Sequence, residues 1–308
     1  MRFSRSTRPA SQIPHAPLAA GHRDSIVVDR ICREILRLAG GWADFEVQVP
    51  MRLRQAIDEV IDTPRTGRFV LAQTEKTEKT YVGTKVEILI RDYLGFPKGI
   101  LDLVIDGIDV DVKNTIGTSW MIPTEAVGKA CILVQENEQT AKCSIGVVVC
   151  RPEYLTGGTN KDGKTSLSAA GKANIHWLLR DHPYPKNFWE TVQDSVRRYI
   201  VEPRGGTQRL YRLFTTFPEM AISRKQAEAI ARQKDFMKRL RGNGGVRDVL
   251  GPEGIALLNG TFDINELRAY GMTNVAADEF VAVPIKTEAQ MRVLKNTGRH
   301  PYVTRYAD

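Results

Sequence analysis

Residues 101–113, with the sequence LDLVIDGIDVDVK, constrain the fold of this chain more strongly than any other segment. Asp106-Gly107 stands between two runs of alternating character, a pattern typical of a two-residue β-hairpin. In such a hairpin Leu103 faces Val110, and the face that carries both is wholly apolar. The alternation therefore predicts that this face lies in the protein core.

The opposite face of the predicted hairpin is acidic. Asp102 falls directly opposite Asp111, where Cβ atoms are about 4.5–5.5 Å apart and like charges are destabilising. A divalent cation between the carboxylates would offset this repulsion, and Mg²⁺ prefers carboxylate oxygens. Lys113 points to the same face, so the group is that of a phosphodiester-hydrolysis site. A solvated strand face is the alternative, and it explains Lys113 more easily than four aspartates within residues 102–111.

Glu87 lies in the middle of a predicted helix over residues 81–94, in the sequence VGTKVEILI. From this position it could reach the hairpin as a further metal ligand or as a base. The alternative is a glutamate on the helix surface, and spacing alone does not decide between the two.

Asp102 followed by Asp111-Val112-Lys113 resembles the PD-(D/E)XK nuclease motif, with Leu101 in place of the proline. The longer string TEKTYVGTKVEI (77–88), the hairpin and SWMIPTEAVG (119–128) resemble the NaeI type of restriction endonuclease. A second block, DFMKRLRGNGGVRDVLGPEGI (235–255), is similar to the C-terminal domain of that family. The resemblance covers roughly residues 55–260.

This resemblance implies a dimer in which each chain has an endonuclease domain and a second DNA-binding domain. The second domain would carry a helix-turn-helix of catabolite-activator type, and DNA bound at an effector site would stimulate cleavage elsewhere. The catalytic positions of the family fall on Glu87, Asp102, Asp111 and Lys113, with the three acids as metal ligands and Mg²⁺ as cofactor. The Glu87–Asp102 spacing is one residue shorter than in the type member.

The rest of the pattern predicts an α/β endonuclease domain with a central mixed sheet (24–165) and a mainly helical DNA-binding domain (172–308). Residues 1–23 contain no acid before the first predicted helix and are predicted to be a flexible basic arm. Predicted helices cover 25–38, 51–61 and 81–94, and predicted strands cover 100–105, 108–114, 130–135 and 142–149. Further helices are expected near 175–179, 187–200, 208–217 and 223–239, followed by a basic glycine-rich loop over 241–247.

Charge divides the chain unevenly. Residues 1–170 hold 22 Lys and Arg against 21 Asp and Glu, whereas residues 171–308 hold 22 against 15, which together give the net charge of +8. A basic C-terminal half suggests a polyanion such as nucleic acid; a merely basic surface is the alternative.

Two predicted helices, 208–217 and 223–233, joined by a short turn fit a helix-turn-helix, although an ordinary basic helical hairpin would show the same pattern. Ser223 and Gln226 form a predicted capping box at the start of the second helix. Recognition helices meet base edges at this end. The candidate DNA-binding residues are Arg224, Lys225 and Gln226, followed by Lys238, Arg239, Arg241 and Arg247 in the second block and its loop.

The sequence argues against a membrane protein, an exported protein and a cysteine-bound zinc site. No apolar run approaches the roughly 20 residues that span a bilayer, and no signal-peptide core follows the first residues. Four cysteines without a CxxC pair are expected to be reduced, mostly buried thiols of a cytoplasmic protein, with no zinc site on them.

The prediction is a type II restriction endonuclease: a homodimer that makes Mg²⁺-dependent double-strand cuts in DNA at a short palindrome. The resemblance adds stimulation by an effector site and a cognate methyltransferase in the same system. The alternatives are a repair or junction endonuclease, and a non-catalytic DNA-binding regulator on a nuclease scaffold.

Overall fold

A computed structural model of the protein describes residues 18–19 and 21–308. The predicted basic arm, residues 1–23, lies largely outside the described residues. In chain order the helices and strands are α1 (Ser25–Leu38), α2 (Trp42–Ile61), α3 (Thr63–Thr66), α4 (Lys76–Leu94), β1 (Leu103–Ile105), β2 (Ile108–Thr115), β3 (Met121–Ile122), β4 (Ala130–Asn137), β5 (Lys142–Val149), β6 (Thr165–Ser166), α5 (Ala169–Ala173), β7 (His176–Pro183), α6 (Asp194–Val201), α7 (Gly206–Thr216), β8 (Ile222–Ser223), α8 (Arg224–Ala231), α9 (Phe236–Arg239), α10 (Val246–Leu250), β9 (Ile255–Asn259), α11 (Ile264–Ala269), β10 (Glu279–Pro284) and α12 (Glu288–Thr297).

These elements form two compact units. The five-stranded unit contains residues 18–61 and 70–190, and the three-stranded unit contains residues 62–69 and 191–308. The first unit therefore extends beyond residue 165, where the predicted endonuclease domain ends. The second unit also includes α3, which packs against α8 within that unit.

The sheet of the five-stranded unit has the order β1-β2-β4-β5-β7. Strands β2 and β4 are parallel, and the other neighbours are antiparallel, so the predicted mixed sheet is confirmed. Leu103 pairs with Val110 and Ile105 with Ile108, which is the register that the two-residue turn predicts. Gly107 has φ +75° and Asp106 has φ +48°, as a hairpin of this kind requires.

Helices α1, α2 and α4 pack on one face of this sheet, over a core that includes Leu103, Val110 and Ile132. A second core covers the other face and includes Trp120, Leu133 and Trp177. Because both faces are buried, alternation weakens in the inner strands, and β5 is buried along its whole length after Lys142.

The prediction of a helix at 175–179 is wrong, because residues 176–179 begin strand β7, which pairs antiparallel with β5. Trp177, Leu178 and Leu179 are all buried. A short apolar run of this kind does not reveal by its period whether it is a buried strand or a buried helix.

Helix α4 begins at Lys76, five residues before the predicted start. Glu75 and Glu78 form a capping box there, with the Glu75 backbone N–H donating to Glu78 Oε2 at 2.8 Å. The polar run TEKTEKT thus supplies the first turn of the helix that carries Glu87. The helix ends at Gly95, which adopts the left-handed conformation with φ +68°.

The three-stranded unit combines a small antiparallel sheet, β8-β10-β9, with helices α6 to α12. A mainly helical domain was expected here, and this sheet was not predicted from the sequence. The two helices expected on either side of a short turn are present as α7 and α8. Instead of continuing to residue 239, α8 ends at Ala231, because Arg232 adopts the left-handed conformation with φ +50°.

Within the described part of the chain, no helix is long and apolar enough to cross a membrane.

Candidate active site

The hairpin brings Asp102 and Asp111 together at one edge of the five-stranded sheet. Asp102 immediately precedes β1, and its backbone N–H donates to Val110 O at 3.3 Å. This bond is displaced by one residue from the ladder, in which Val110 pairs with Leu103. The Val112 backbone N–H donates to Asp102 Oδ2 at 2.8 Å. This bond from the partner strand holds the Asp102 carboxylate next to that of Asp111.

Asp111 is buried, with 3% of its surface exposed. Burial raises the pKa of its carboxyl group from 3.8 to about 7, and a hydrogen bond shared with the Asp102 carboxyl adds to this effect, whereas Lys113 lowers the pKa. Two carboxyl groups that share a site resist simultaneous ionisation. A proton or a cation bound between the two carboxylates therefore relieves their repulsion.

Lys113 supplies positive charge to this pair. Its Nζ donates to Asp111 Oδ1 at 2.7 Å and lies 3.9 Å from Asp102 Oδ2. It also donates to Val112 O at 3.2 Å. The side chain is about a quarter exposed, at 24%, so the ammonium lies at the border between the carboxylates and solvent.

The contact between Asp111 and Cys131 was not predicted from the sequence. Parallel pairing places Cys131 beside Asp111, with Sγ 4.0 Å from Asp111 Oδ2. The neighbouring Cys150 thiol and burial raise the pKa of Cys131 well above its usual value, so Cys131 remains a thiol. All four cysteines are buried and free, as predicted for buried thiols. No local motif reports this contact, because it depends on the register of β2 against β4.

Glu87 lies near the pair without joining it. Burial raises the pKa of Glu87, and the negative charge of Asp102 raises it further, whereas Arg91, Lys113 and Lys98 lower it. Arg91 Nη1 donates to Glu87 Oε1 at 3.3 Å. Among the described residues, Glu87 does not form a group with Asp102 and Asp111 in which all ligand atoms lie within 4.8 Å.

The donor set of the hairpin fits a hard divalent cation. Asp102 and Asp111 offer only carboxylate oxygens, which are the ligands that Mg²⁺ prefers. One carboxylate is fixed by a backbone N–H, and an ammonium group already lies between the two.

The predicted DNA-binding residues all lie in the three-stranded unit. Arg224 and Lys225 are exposed in the first turn of α8. Gln226 belongs to the capping box: its backbone N–H donates to Ser223 Oγ at 3.2 Å, and its Oε1 accepts from Ser223 N at 2.8 Å. The predicted capping box is therefore confirmed.

The later basic residues differ in accessibility. Lys238 and Arg241 are exposed, whereas Arg239 is half-buried and donates to Gln233 Oε1 at 3.0 Å. Arg247 is also half-buried, with Nη2 3.7 Å from Asp263 Oδ2 and its guanidinium over the Tyr302 ring. Arg247 thus has an intramolecular role that the sequence analysis did not foresee.

The hairpin carries paired aspartates and a lysine at the edge of a mixed sheet. Comparison with known proteins gives the class: this is a restriction endonuclease. Residues 47–297 match the family model described as "Restriction endonuclease NaeI". The chain belongs to this family. It is also 35% identical over 215 residues to the type II restriction enzyme NaeI of Lentzea aerocolonigenes, an alignment that covers 67% of this chain and 68% of the relative.

Proposed function

We propose that this enzyme makes double-strand cuts in DNA at a short palindromic site, with Mg²⁺ as cofactor and the Asp102–Asp111–Lys113 cluster as its catalytic centre. The observation that carries the proposal is that two carboxylates of the hairpin both lie within 4 Å of the Lys113 ammonium. A palindromic site presents two equivalent strands, and a homodimer would place one such centre on each.

In this proposal Asp102 and Asp111 hold Mg²⁺. When bound, the ion would act as a Lewis acid on the scissile phosphate and would lower the pKa of a water molecule bound to it. Lys113 Nζ leaves Asp111 Oδ1 and contacts the phosphate. Its positive charge stabilises the negative charge that develops on the pentavalent phosphate in the transition state. Water attacks in line with the leaving oxygen. Glu87, whose pKa is raised by burial and by Asp102, acts as a further ligand or accepts the proton of the attacking water.

The three-stranded unit would bind DNA through the first turn of α8. Arg224 and Lys225 are exposed there, and their positive charges suit phosphate. The order α7, turn, α8 fits a helix-turn-helix of catabolite-activator type with α8 as the recognition helix. Lys238 and Arg241 extend the basic surface, whereas Arg247, held by Asp263, contributes to stability instead of phosphate contact.

The test is incubation of the purified full chain with plasmid DNA and Mg²⁺, beside the Asp111→Ala variant. Discrete fragments from the wild type and none from the variant are expected. The variant should still bind DNA in Ca²⁺, because removing a carboxylate reduces repulsion of phosphate. Cutting confined to lesions or junctions would indicate a repair enzyme, and no cutting under any condition would indicate a regulator. Near-normal cleavage by the variant would contradict the assigned centre.

Stimulation by an effector site is tested separately. A plasmid with two recognition sites should be cut faster than a plasmid with one, and an added cognate oligonucleotide should accelerate the one-site case. Equal rates with and without the oligonucleotide would contradict an effector role. A restriction enzyme of this kind works in the cytoplasm beside a methyltransferase that protects the host site, so DNA methylated at that site should resist cleavage.

A further inference from the structure

A buried cluster of three ionisable side chains lies in the three-stranded unit. Asp263, Glu266 and His300 are 2%, 1% and 4% exposed, respectively. Each contributes one carboxylate oxygen or ring nitrogen to a set of atoms that lie within 4.8 Å of one another. In the part of the chain that the structure describes, this is the one such group of three. The paired aspartates of the hairpin belong to the other unit.

The fold positions two of these groups through local contacts. Asp263 lies just before α11, and its Oδ2 accepts a hydrogen bond from Asn259 N at 2.8 Å. This leaves Oδ1 towards His300, whose Nε2 lies 3.1 Å away. Arg247 Nη2 lies 3.7 Å from Asp263 Oδ2, so the guanidinium compensates the negative charge of Asp263 at that oxygen.

Glu266 lies one turn further along α11. Its Oε1 is buried without a hydrogen-bond partner. A buried carboxylate oxygen without a partner is costly, and buried charges are usually paired or bound to a metal. The unpartnered oxygen therefore indicates that a cation completes this cluster.

We propose that Asp263, Glu266 and His300 bind one divalent transition-metal ion, with Zn²⁺ as the representative. An imidazole nitrogen with two carboxylate oxygens is a set that Zn²⁺ accepts, whereas Mg²⁺ favours oxygen alone. Ligand atoms around a tetrahedral ion at about 2.0–2.2 Å are roughly 3.3 Å apart. The 3.1 Å between His300 Nε2 and Asp263 Oδ1 is a hydrogen-bond distance that lies close to this spacing.

The surroundings of His300 support the same role. A metal-binding histidine usually donates its second ring N–H to an oxygen, which fixes the tautomer. His300 Nδ1 lies 2.8 Å from the Tyr302 hydroxyl, which in turn donates to Leu257 O at 3.4 Å. The ion would join α11 to the segment after α12, so its role is to stabilise the three-stranded unit.

The test is calorimetric titration of the full chain with Zn²⁺ after treatment with a chelator, in an Asp111→Ala background that removes a ligand of the proposed catalytic metal. One Zn²⁺ per chain is expected. Adding Glu266→Gln should weaken binding by more than about 100-fold, since loss of an outer partner alone costs about 10–100-fold. Adding Glu288→Gln, which changes an exposed glutamate of α12 in the same unit, should have no effect. Equal binding by the Glu266 variant, or no binding at all, would overturn the proposal.

A second measurement avoids any folding defect of the Glu266 variant. Hydrogen exchange in the Asp111→Ala protein should slow over residues 260–270 and 298–308 when Zn²⁺ is added. Mg²⁺ at the same concentration should leave both segments unchanged. Exchange that does not respond to Zn²⁺ would overturn the proposal, and the cluster would then have a structural role without a metal.

Discussion

Lys113 Nζ lies 2.7 Å from Asp111 Oδ1, and this ammonium occupies the position of a cation between the two hairpin carboxylates. The contact has a consequence for the proposed reaction. If Asp102 and Asp111 hold a metal ion, the ammonium of Lys113 would leave Asp111 and become available to the phosphate. The same carboxylate must also lose its proton, because burial and Asp102 raise its pKa to about 7.

We therefore expect the cleavage rate to fall as pH decreases through about 7. Protonated Asp111 cannot hold Mg²⁺, and metal affinity falls as ligands are protonated. Raising the Mg²⁺ concentration should shift the midpoint of the pH profile to lower pH. The measurement is single-turnover cleavage from pH 5.5 to 9 at two Mg²⁺ concentrations. A midpoint that does not respond to Mg²⁺ would mean that the titrating group is not a metal ligand.

Asp111→Asn should abolish cleavage and stabilise the metal-free protein at pH 8 by about 1–3 kcal/mol, since one unit of pKa shift corresponds to about 1.4 kcal/mol. The sign follows from the raised pKa. Between about pH 4 and 7 the folded state retains a proton that the unfolded state releases, so wild-type stability falls as pH rises through this window. The advantage of the variant should therefore shrink as pH is lowered from 7 towards 4. Urea unfolding measures it, with Asp92→Asn, an exposed carboxyl on α4, as the control.

Lys113→Ala should reduce cleavage by at least about 100-fold, the usual cost of losing one charge-stabilising donor. Lys113→Arg should recover part of this loss, because guanidinium keeps the charge but not the compact shape of an ammonium. Because Lys113 lowers the pKa of Asp111, residual activity of the Ala variant should have a higher pH midpoint. Lys142→Ala, at the exposed start of β5, is the control. Full activity of the Arg variant would mean that Lys113 contributes only its positive charge and that its compact shape is not required.

Ser223→Ala should weaken DNA binding through loss of the cap of α8. The Ser223 hydroxyl accepts from Gln226 N at 3.2 Å, and loss of such a cap costs about 0.5–2 kcal/mol. Thr287→Ala removes the equivalent cap of α12, where Thr287 Oγ1 accepts from Gln290 N at 3.2 Å. Both variants should unfold more easily, but only the first should bind DNA less tightly. If the two variants bind DNA equally tightly, α8 is not part of the DNA interface.

Replacing Arg224 and Lys225 with Ala in the full chain should weaken DNA binding and flatten its dependence on salt. Each lost phosphate contact should lower the slope of log affinity against log salt by about one. Arg292→Ala with Lys295→Ala removes two exposed cations from α12 and serves as the matched control. Fluorescence anisotropy at several salt concentrations in Ca²⁺ gives the slopes. The same loss of slope in both double variants would indicate a diffuse basic surface instead of a site on α8.

The sequence alone determined the hairpin, its register and the face that carries Asp102, Asp111 and Lys113. These features are local: a two-residue turn sets the pairing, and the period of two assigns each side chain to a face. The start of α8 was predicted for the same reason, because the Ser223–Gln226 capping box lies within one turn of chain.

Only the tertiary structure decided the remainder. Strand β7 replaced a predicted helix because a short buried apolar run fits either conformation, and pairing with β5 made the choice. Cys131 lies against Asp111 because of the parallel register between two strands separated by a long connection. Asp263 and His300 are 37 residues apart and form no sequence motif. Such contacts depend on how distant segments pack, and neither residue type nor local spacing encodes them.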